Sequence, residues 1–161
     1  MPVARAAPGI HDPGPVGHAG HAADHVLRVL ALDYGSARCG VAVSDPTGTL
    51  ATPLEPVVRA NTRRGIDRLA TVVRETGAER VVVGLPLGLS GADTAQTAEA
   101  RAFAERLRSR LGGVPVELYD ERFTTRIAAR SAAGARSSED SRAAAVLLDD
   151  WLATRSGGHP G

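Results

Sequence analysis

Three acidic positions stand out because each interrupts a pattern that should be apolar. Asp33 follows the run Val29-Leu30-Ala31-Leu32, a stretch of the kind that buried strands show. With strand alternation it shares a face with Val29 and Ala31. The pair Asp120-Glu121 follows directly on Val114 to Tyr119, at the C-terminal end of a later apolar run. Asp140 opens the series Ala143, Ala144, Leu147, Leu148 and Trp151, spaced as one inward stripe of a helix. A carboxylate in such a place costs free energy unless it is hydrogen-bonded, paired or bound to a cation. Three of them together are what a two-metal phosphoryl site requires. Hard cations such as Mg²⁺ take oxygen ligands, and two of them ~3.5–4 Å apart clamp the attacking and leaving oxygens of a phosphodiester. Each acid also has a plainer explanation. Most buried carboxylates are simply hydrogen-bonded to a neighbour, and Ser137-Ser138-Glu139-Asp140 matches a capping box. No nucleophile constellation competes, since four of the five histidines lie within the first 25 residues and the fifth is His159.

The elements that must position these acids are legible from periodicity. Val29 to Asp33 and Val41 to Val43 read as two strands joined by a Tyr34-Gly35-Ser36 turn. Thr49 to Arg59 reads as a third strand, with Pro53 and Pro56 arguing for a sheet edge. Thr62 to Thr76 carries Ile66, Leu69, Val72 and Val73 at helical spacing and stops at Gly77. Arg80 to Gly84 is a compact buried strand. A helix is expected from about Thr94 to Leu111, with Ala98, Ala102, Phe103 and Leu107 inward, and Gly112-Gly113 end it. Val114 to Tyr119 makes a fifth strand. A short helix from Thr124 to Gly134 and an amphipathic one from Ser138 to Thr154 complete the chain. Three hairpin-connected strands followed by helix–strand–helix–strand–helix give an α/β domain with a mixed five-stranded sheet. The two later strands should be parallel through right-handed crossovers, and sites in such sheets gather at the C-terminal strand ends.

At 161 residues the chain suits one domain with a tail. Residues 1–25, rich in Pro, Gly, Ala and His without apolar period, read as a disordered tail. The domain then runs over 26–155, and 156–161 is a flexible C-terminus. His18, His21 and His25 have a spacing that could suit a metal, but nothing preorganises them and they read as part of the tail. Net charge is +1, and all 19 basic residues are arginine, whose fork matches phosphate oxygens. The scarcity of aromatics, Tyr34, Phe103, Tyr119, Phe123 and Trp151 alone, argues against a base-stacking platform for single strands. The lone Cys39 forms no internal disulfide and reads as a small core residue. No window approaches ~18 consecutive apolar residues, so no membrane span is expected, and a reducing cytoplasmic location fits.

Four blocks in order, LALDYGSARCGVAVSD, VVVGLPLGLSG, VELYDERFTT and EDSRAAAVLLDDWL, resemble those of the bacterial YqgF/RuvX family. The resemblance covers about Val26 to Arg155. It implies a ribonuclease-H-like fold related to the RuvC Holliday-junction resolvase, and a nuclease of ribosome biogenesis that matures the 5′ end of precursor 16S ribosomal RNA. It implies metal-binding carboxylates at Asp33, at Asp120-Glu121 with Glu121 favoured, and at Asp140, holding one or two Mg²⁺ or Mn²⁺ ions. The chain departs from the family between Thr125 and Asp140, where only 14 residues intervene. Arg142 also stands where a small or amide residue is usual.

Substrate grip falls to arginines. Arg122, Arg126 and Arg130 sit at i, i+4 and i+8, with Arg136 and Arg142 nearby, and Arg38 lies in the opening hairpin. They are candidates for holding phosphates of structured RNA or branched DNA, against the plainer reading of a solvated face. A homodimer is compatible with the sequence. Other readings are a Holliday-junction-resolvase-like DNA endonuclease and a non-catalytic RNA- or junction-binding module of the same fold. The opening hairpin also resembles the phosphate-binding hairpin of actin-like ATPases and sugar kinases, which need two such domains and far more chain.

Overall fold

The computed structural model describes residues 27–86, 94–120 and 139–156. The tail 1–25, the short helix at 124–134 and, of the expected flexible C-terminus 156–161, all but the helical Ser156 lie outside these residues. Five strands form one sheet: β1 (Val29–Asp33), β2 (Arg38–Ser44), β3 (Ala51–Val58), β4 (Arg80–Leu85) and β5 (Val116–Asp120). Three helices accompany them: α1 (Arg63–Thr76), α2 (Ala95–Leu111) and α3 (Glu139–Ser156). Strand order is β3-β2-β1-β4-β5. The β1–β2 and β2–β3 pairs are antiparallel, whereas β1–β4 and β4–β5 are parallel, so the sheet is mixed as its connections require. β3 is an edge strand, the place where Pro53 and Pro56 forfeit least.

Alternation along β1 sorts two cores by side-chain size. Leu30 and Leu32 face α1 and α2, joined there by Val41, Val81, Val83, Leu69, Phe103 and Leu107. Val29 and Ala31 face α3, with Ala42 and Val82 beside them and Ala144, Leu147, Leu148 and Trp151 above. The α3 face of β1 and β2 is thus paved with small residues, which lets that helix lie close to the sheet.

Local signals set the helix ends. The Thr62 hydroxyl caps α1 by accepting from the Gly65 amide at 3.1 Å, and Gly77 at φ 70° ends it in the left-handed region. Thr94 and Thr97 cap α2 reciprocally. The buried stripe of α2 differs from the expected one. Thr97, Ala100, Phe103, Ala104 and Leu107 point inward, while Ala98 and Ala102 are exposed. Alanine recurs at 98, 100, 102 and 104, so its presence does not tell one face from the other. Among the described residues no helix is long and apolar enough to cross a membrane.

Candidate active site

β1, β4 and β5 run parallel, so their C-terminal ends share one edge of the sheet, and Asp33 and Asp120 are the last residues of β1 and β5. Asp33 is half-buried and lies opposite Gly40 of β2 in the ladder. Gly40 is where the helix layer comes down. A Cβ placed on it would fall 1.9 Å from the Asp140 carbonyl oxygen, so only glycine lets the first turn of α3 rest on β2. Next to this contact the buried Val41 amide donates to the Ser141 hydroxyl at 3.2 Å, which pins that turn to the strand. Asp140 is therefore carried over the ladder position that Asp33 shares.

The buried Cys39 thiol records the same convergence. Its pKa is pushed up, first by burial and then by the negative charges of Asp33 and Asp140, so both carboxylates lie within electrostatic reach of one sulfur. The thiol stays protonated and serves as core, as its position in β2 suggests.

Side-chain parity separates the acids at the β5 end. Tyr119 packs in the α3 core and Leu118 in the opposite one. Asp120 follows Leu118 by two residues and so belongs to the α1/α2 side, across the sheet from Asp33. Glu121 lies outside the described residues, as do Arg122, Arg126, Arg130 and Arg136. Among the described residues no group of three or more His, Cys, Asp or Glu side chains gathers as a metal cage. What the described part offers a cation is a pair of hard carboxylates, Asp33 and Asp140, a donor chemistry that suits Mg²⁺ or Mn²⁺ rather than Zn²⁺. Arg142 is half-buried in the first turn of α3, and Arg38 is exposed at the start of β2.

Two networks brace this edge. Below it, Glu117 of β5 accepts from the Arg80 guanidinium at 2.9 Å and from the Trp151 indole at 3.1 Å, while the Tyr119 hydroxyl donates to Asp150 at 2.7 Å. The Tyr119 phenol is pushed up to about 12 by burial and by Asp150, so it remains a donor. On the other face Tyr34, directly after Asp33, stacks on Phe103 with centroids 4.6 Å apart. Burial and Glu99 raise its pKa, and Asn61 hydrogen-bonds it. Asn61 in turn accepts from Arg106 at 2.7 Å. Gly40 and Ser141 were the residues that chemistry-first reading passed over. A lone glycine inside an apolar strand is a signal of close backbone approach; Ser141 carries no such mark.

Comparison with known proteins agrees with this architecture. The family model described as "RuvX: Holliday junction resolvase" matches residues 27–154. A Rhodococcus opacus protein named "Putative pre-16S rRNA nuclease" is 41% identical over 160 residues, covering 92% of this chain and 84% of its own. A Nocardia farcinica protein of the same name is 46% identical over 142 residues, covering 80% of this chain and 79% of its own. The structure of Thermus thermophilus RuvC in complex with Holliday junction substrate superposes with a TM-score of 0.55 at 19% identity, over 82% of this chain and 97% of that one. That likeness establishes a ribonuclease-H-like fold. Matched over nearly all its described length and closely related to these proteins, the chain belongs to the RuvX family.

Proposed function

We propose that this protein is a divalent-metal-dependent nuclease that hydrolyses phosphodiester bonds of structured RNA, acting in the cytoplasm on the 5′ end of precursor 16S ribosomal RNA. The observation that carries the reading is the seating of the Asp140 main chain on Gly40, the ladder partner of Asp33 at the C-terminal end of β1. The names of the relatives point the same way. Asp33, Asp140 and Glu121 are the assigned ligands. Parity supports Glu121 over Asp120: if β5 continues by one residue, position 121 returns to the face of Asp33. One or two Mg²⁺ or Mn²⁺ ions, when bound, supply Lewis acidity and lower the pKa of the attacking water. The chain's own part is to hold the three carboxylates at fixed distance and to neutralise the flanking phosphates with Arg38, Arg122, Arg126, Arg130, Arg136 and Arg142.

The test is cleavage of a precursor 16S 5′-leader RNA and of a four-way DNA junction in Mg²⁺, in Mn²⁺ and in EDTA. Asp33→Asn, Asp140→Asn and Glu121→Gln should each lower the rate by orders of magnitude, and Asp120→Asn by much less. Asn caps a helix about as well as Asp, so survival of activity in Asp140→Asn would reduce that residue to a cap. If Asp33→Asn and Asp140→Asn both cleave at the wild-type rate, the chain is a binding module. The family description supports a second reading, resolution of branched DNA, which faster cleavage of the junction than of the RNA would favour.

A further inference from the structure

We infer that the groove between α1 and α2, on the sheet face opposite α3, binds the phosphate backbone of a duplex segment at a distance from the scissile bond. The inference rests on the nuclease reading only for the identity of the polyanion. The groove is shallow and open to solvent, with a volume of about 670 Å³, and is lined by Arg63, Ile66, Asp67, Arg106, Ser109 and Arg110. Three guanidiniums therefore face one carboxylate. Asp67 is engaged by Arg110 through Nε at 3.0 Å, in a pair with both side chains about half exposed. That leaves the two η nitrogens of Arg110 as donors. Arg106 spends NH1 on the side-chain and main-chain oxygens of Asn61, which are neutral, so its charge is not cancelled. Arg63 makes no ion pair among the described residues.

The surrounding charge has the same sign. Helices α1 and α2 each carry four arginines against two acids, whereas α3 carries four acids against two arginines. On a chain of net charge +1, the layer that bears the groove is thus the basic one, on the face away from the metal acids. The chemistry of the lining narrows the occupant. Planar guanidinium forks suit phosphate oxygens, and no aromatic ring lines the groove to stack an unpaired base. Recognition is of backbone, independent of sequence, which is how A-form helices are gripped. Arg106 also ties the groove to the active edge through Asn61 and Tyr34, next to Asp33. A structured RNA long enough to pass from the active edge onto the α1/α2 layer would be held at both places.

The experiment measures binding of the full chain in EDTA, where cleavage is absent, by fluorescence anisotropy across a salt series. The probes are an RNA hairpin of ~25 base pairs and one of ~8, the longer one exceeding the ~16 base pairs that a typical duplex-binding domain spans. Arg63→Gln with Arg110→Gln should weaken binding of the long hairpin about tenfold and reduce the salt slope by about one to two units. The short hairpin should lose less than about twofold. Arg68→Gln with Arg74→Gln removes equal charge from outside the groove and should change neither. Asp67→Asn removes the one acid and should tighten the long hairpin several-fold. Equal losses in the two double variants, or equal losses for the two hairpins, would reduce the groove to diffuse surface charge and overturn the inference. No loss with the groove variant would overturn it too, and would open the groove to an acidic protein partner instead. Because binding is read without cleavage, an inactive wild type that still shows these differences would sink the nuclease reading alone.

Discussion

Replacing Gly40 by Ala tests the contact on which the whole site depends. The added Cβ would lie 1.9 Å from the Asp140 carbonyl oxygen, 2.3 Å from its carbonyl carbon and 2.9 Å from the Ser141 nitrogen. Ordinary contact begins near 3.4 Å, so the first turn of α3 must retreat by about 1.5 Å. All three obstacles are backbone, and no rotamer change relieves them. Overpacking of this kind costs about 1–3 kcal/mol. The retreat also stretches the 3.2 Å bond from the Val41 amide to Ser141, and a buried amide left without a partner costs a further ~1–3 kcal/mol. Denaturant unfolding followed by tryptophan fluorescence should therefore show a loss of about 2–6 kcal/mol, with Trp151 as the reporter on the same helix. A displacement of ~1 Å at a reacting centre costs about 10²-fold in rate, so cleavage measured where the variant is still folded should fall by at least that much. An unchanged unfolding midpoint would mean that helix and strand do not touch as described. Full destabilisation with wild-type cleavage would mean that the position of Asp140 is irrelevant to the chemistry.

Other expectations follow from single features. Ser141→Ala leaves the Val41 amide buried and unpaired, so it should cost about 1–3 kcal/mol, whereas Ser141→Thr should recover part of the loss. Asp33→Asn should leave the metal-free protein as stable as the wild type or slightly more so, because it removes repulsion between neighbouring carboxylates; a large drop in melting temperature in EDTA would contradict this. Asp45 is held at about 2, below its ordinary 3.8, chiefly by the Thr47 hydroxyl and then by the Leu50 and Thr49 amides. A depressed carboxyl stabilises the fold above its ordinary pKa and loses that contribution as pH falls through the lowered one. Asp45→Asn should therefore flatten the acid limb of a melting-temperature profile between about pH 4 and 2, and an identical limb would exclude this turn as its source. Deleting residues 1–25, which show no apolar period, should leave melting temperature and cleavage nearly unchanged; a loss of several degrees would show that the segment packs on the domain.

Much of this was legible in the chain because periodicity and burial coincide. The alternation Val29-Leu30-Ala31-Leu32-Asp33 puts Asp33 on one face with Val29 and Ala31, and that is the face α3 covers. The stripe from Ala144 to Trp151 likewise shows which face of α3 is covered. Where the reading failed, the residues were ambiguous in themselves. Alternating alanines in α2 fit either face, so the spacing points Ala98 and Ala102 inward, whereas the buried stripe runs through Thr97 and Ala100. β3 falls inside the expected Thr49 to Arg59, whereas β5 starts two residues later than Val114, past Pro115, and runs one residue beyond Tyr119 to Asp120. The site itself is half legible. Its acids announce themselves by standing in apolar surroundings, but the approach of α3 to Gly40 is a tertiary fact, set by small residues on two strands and one helix together.

The bond between Val41 and Ser141 joins residues one hundred positions apart. Its consequence is temporal. During synthesis, β1 and β2 leave the ribosome with Asp33 in place, yet the Val29–Ala31 face stays uncovered and Asp140 is absent until α3 has emerged. Closing so long a loop is slow and becomes favourable only when the apolar stripe of α3 docks as a unit. A nascent or truncated chain ending before residue 139 thus has neither a complete core nor the second acid. On the nuclease reading, a protein made among ribosomal RNAs is kept harmless until α3 has been made and docked.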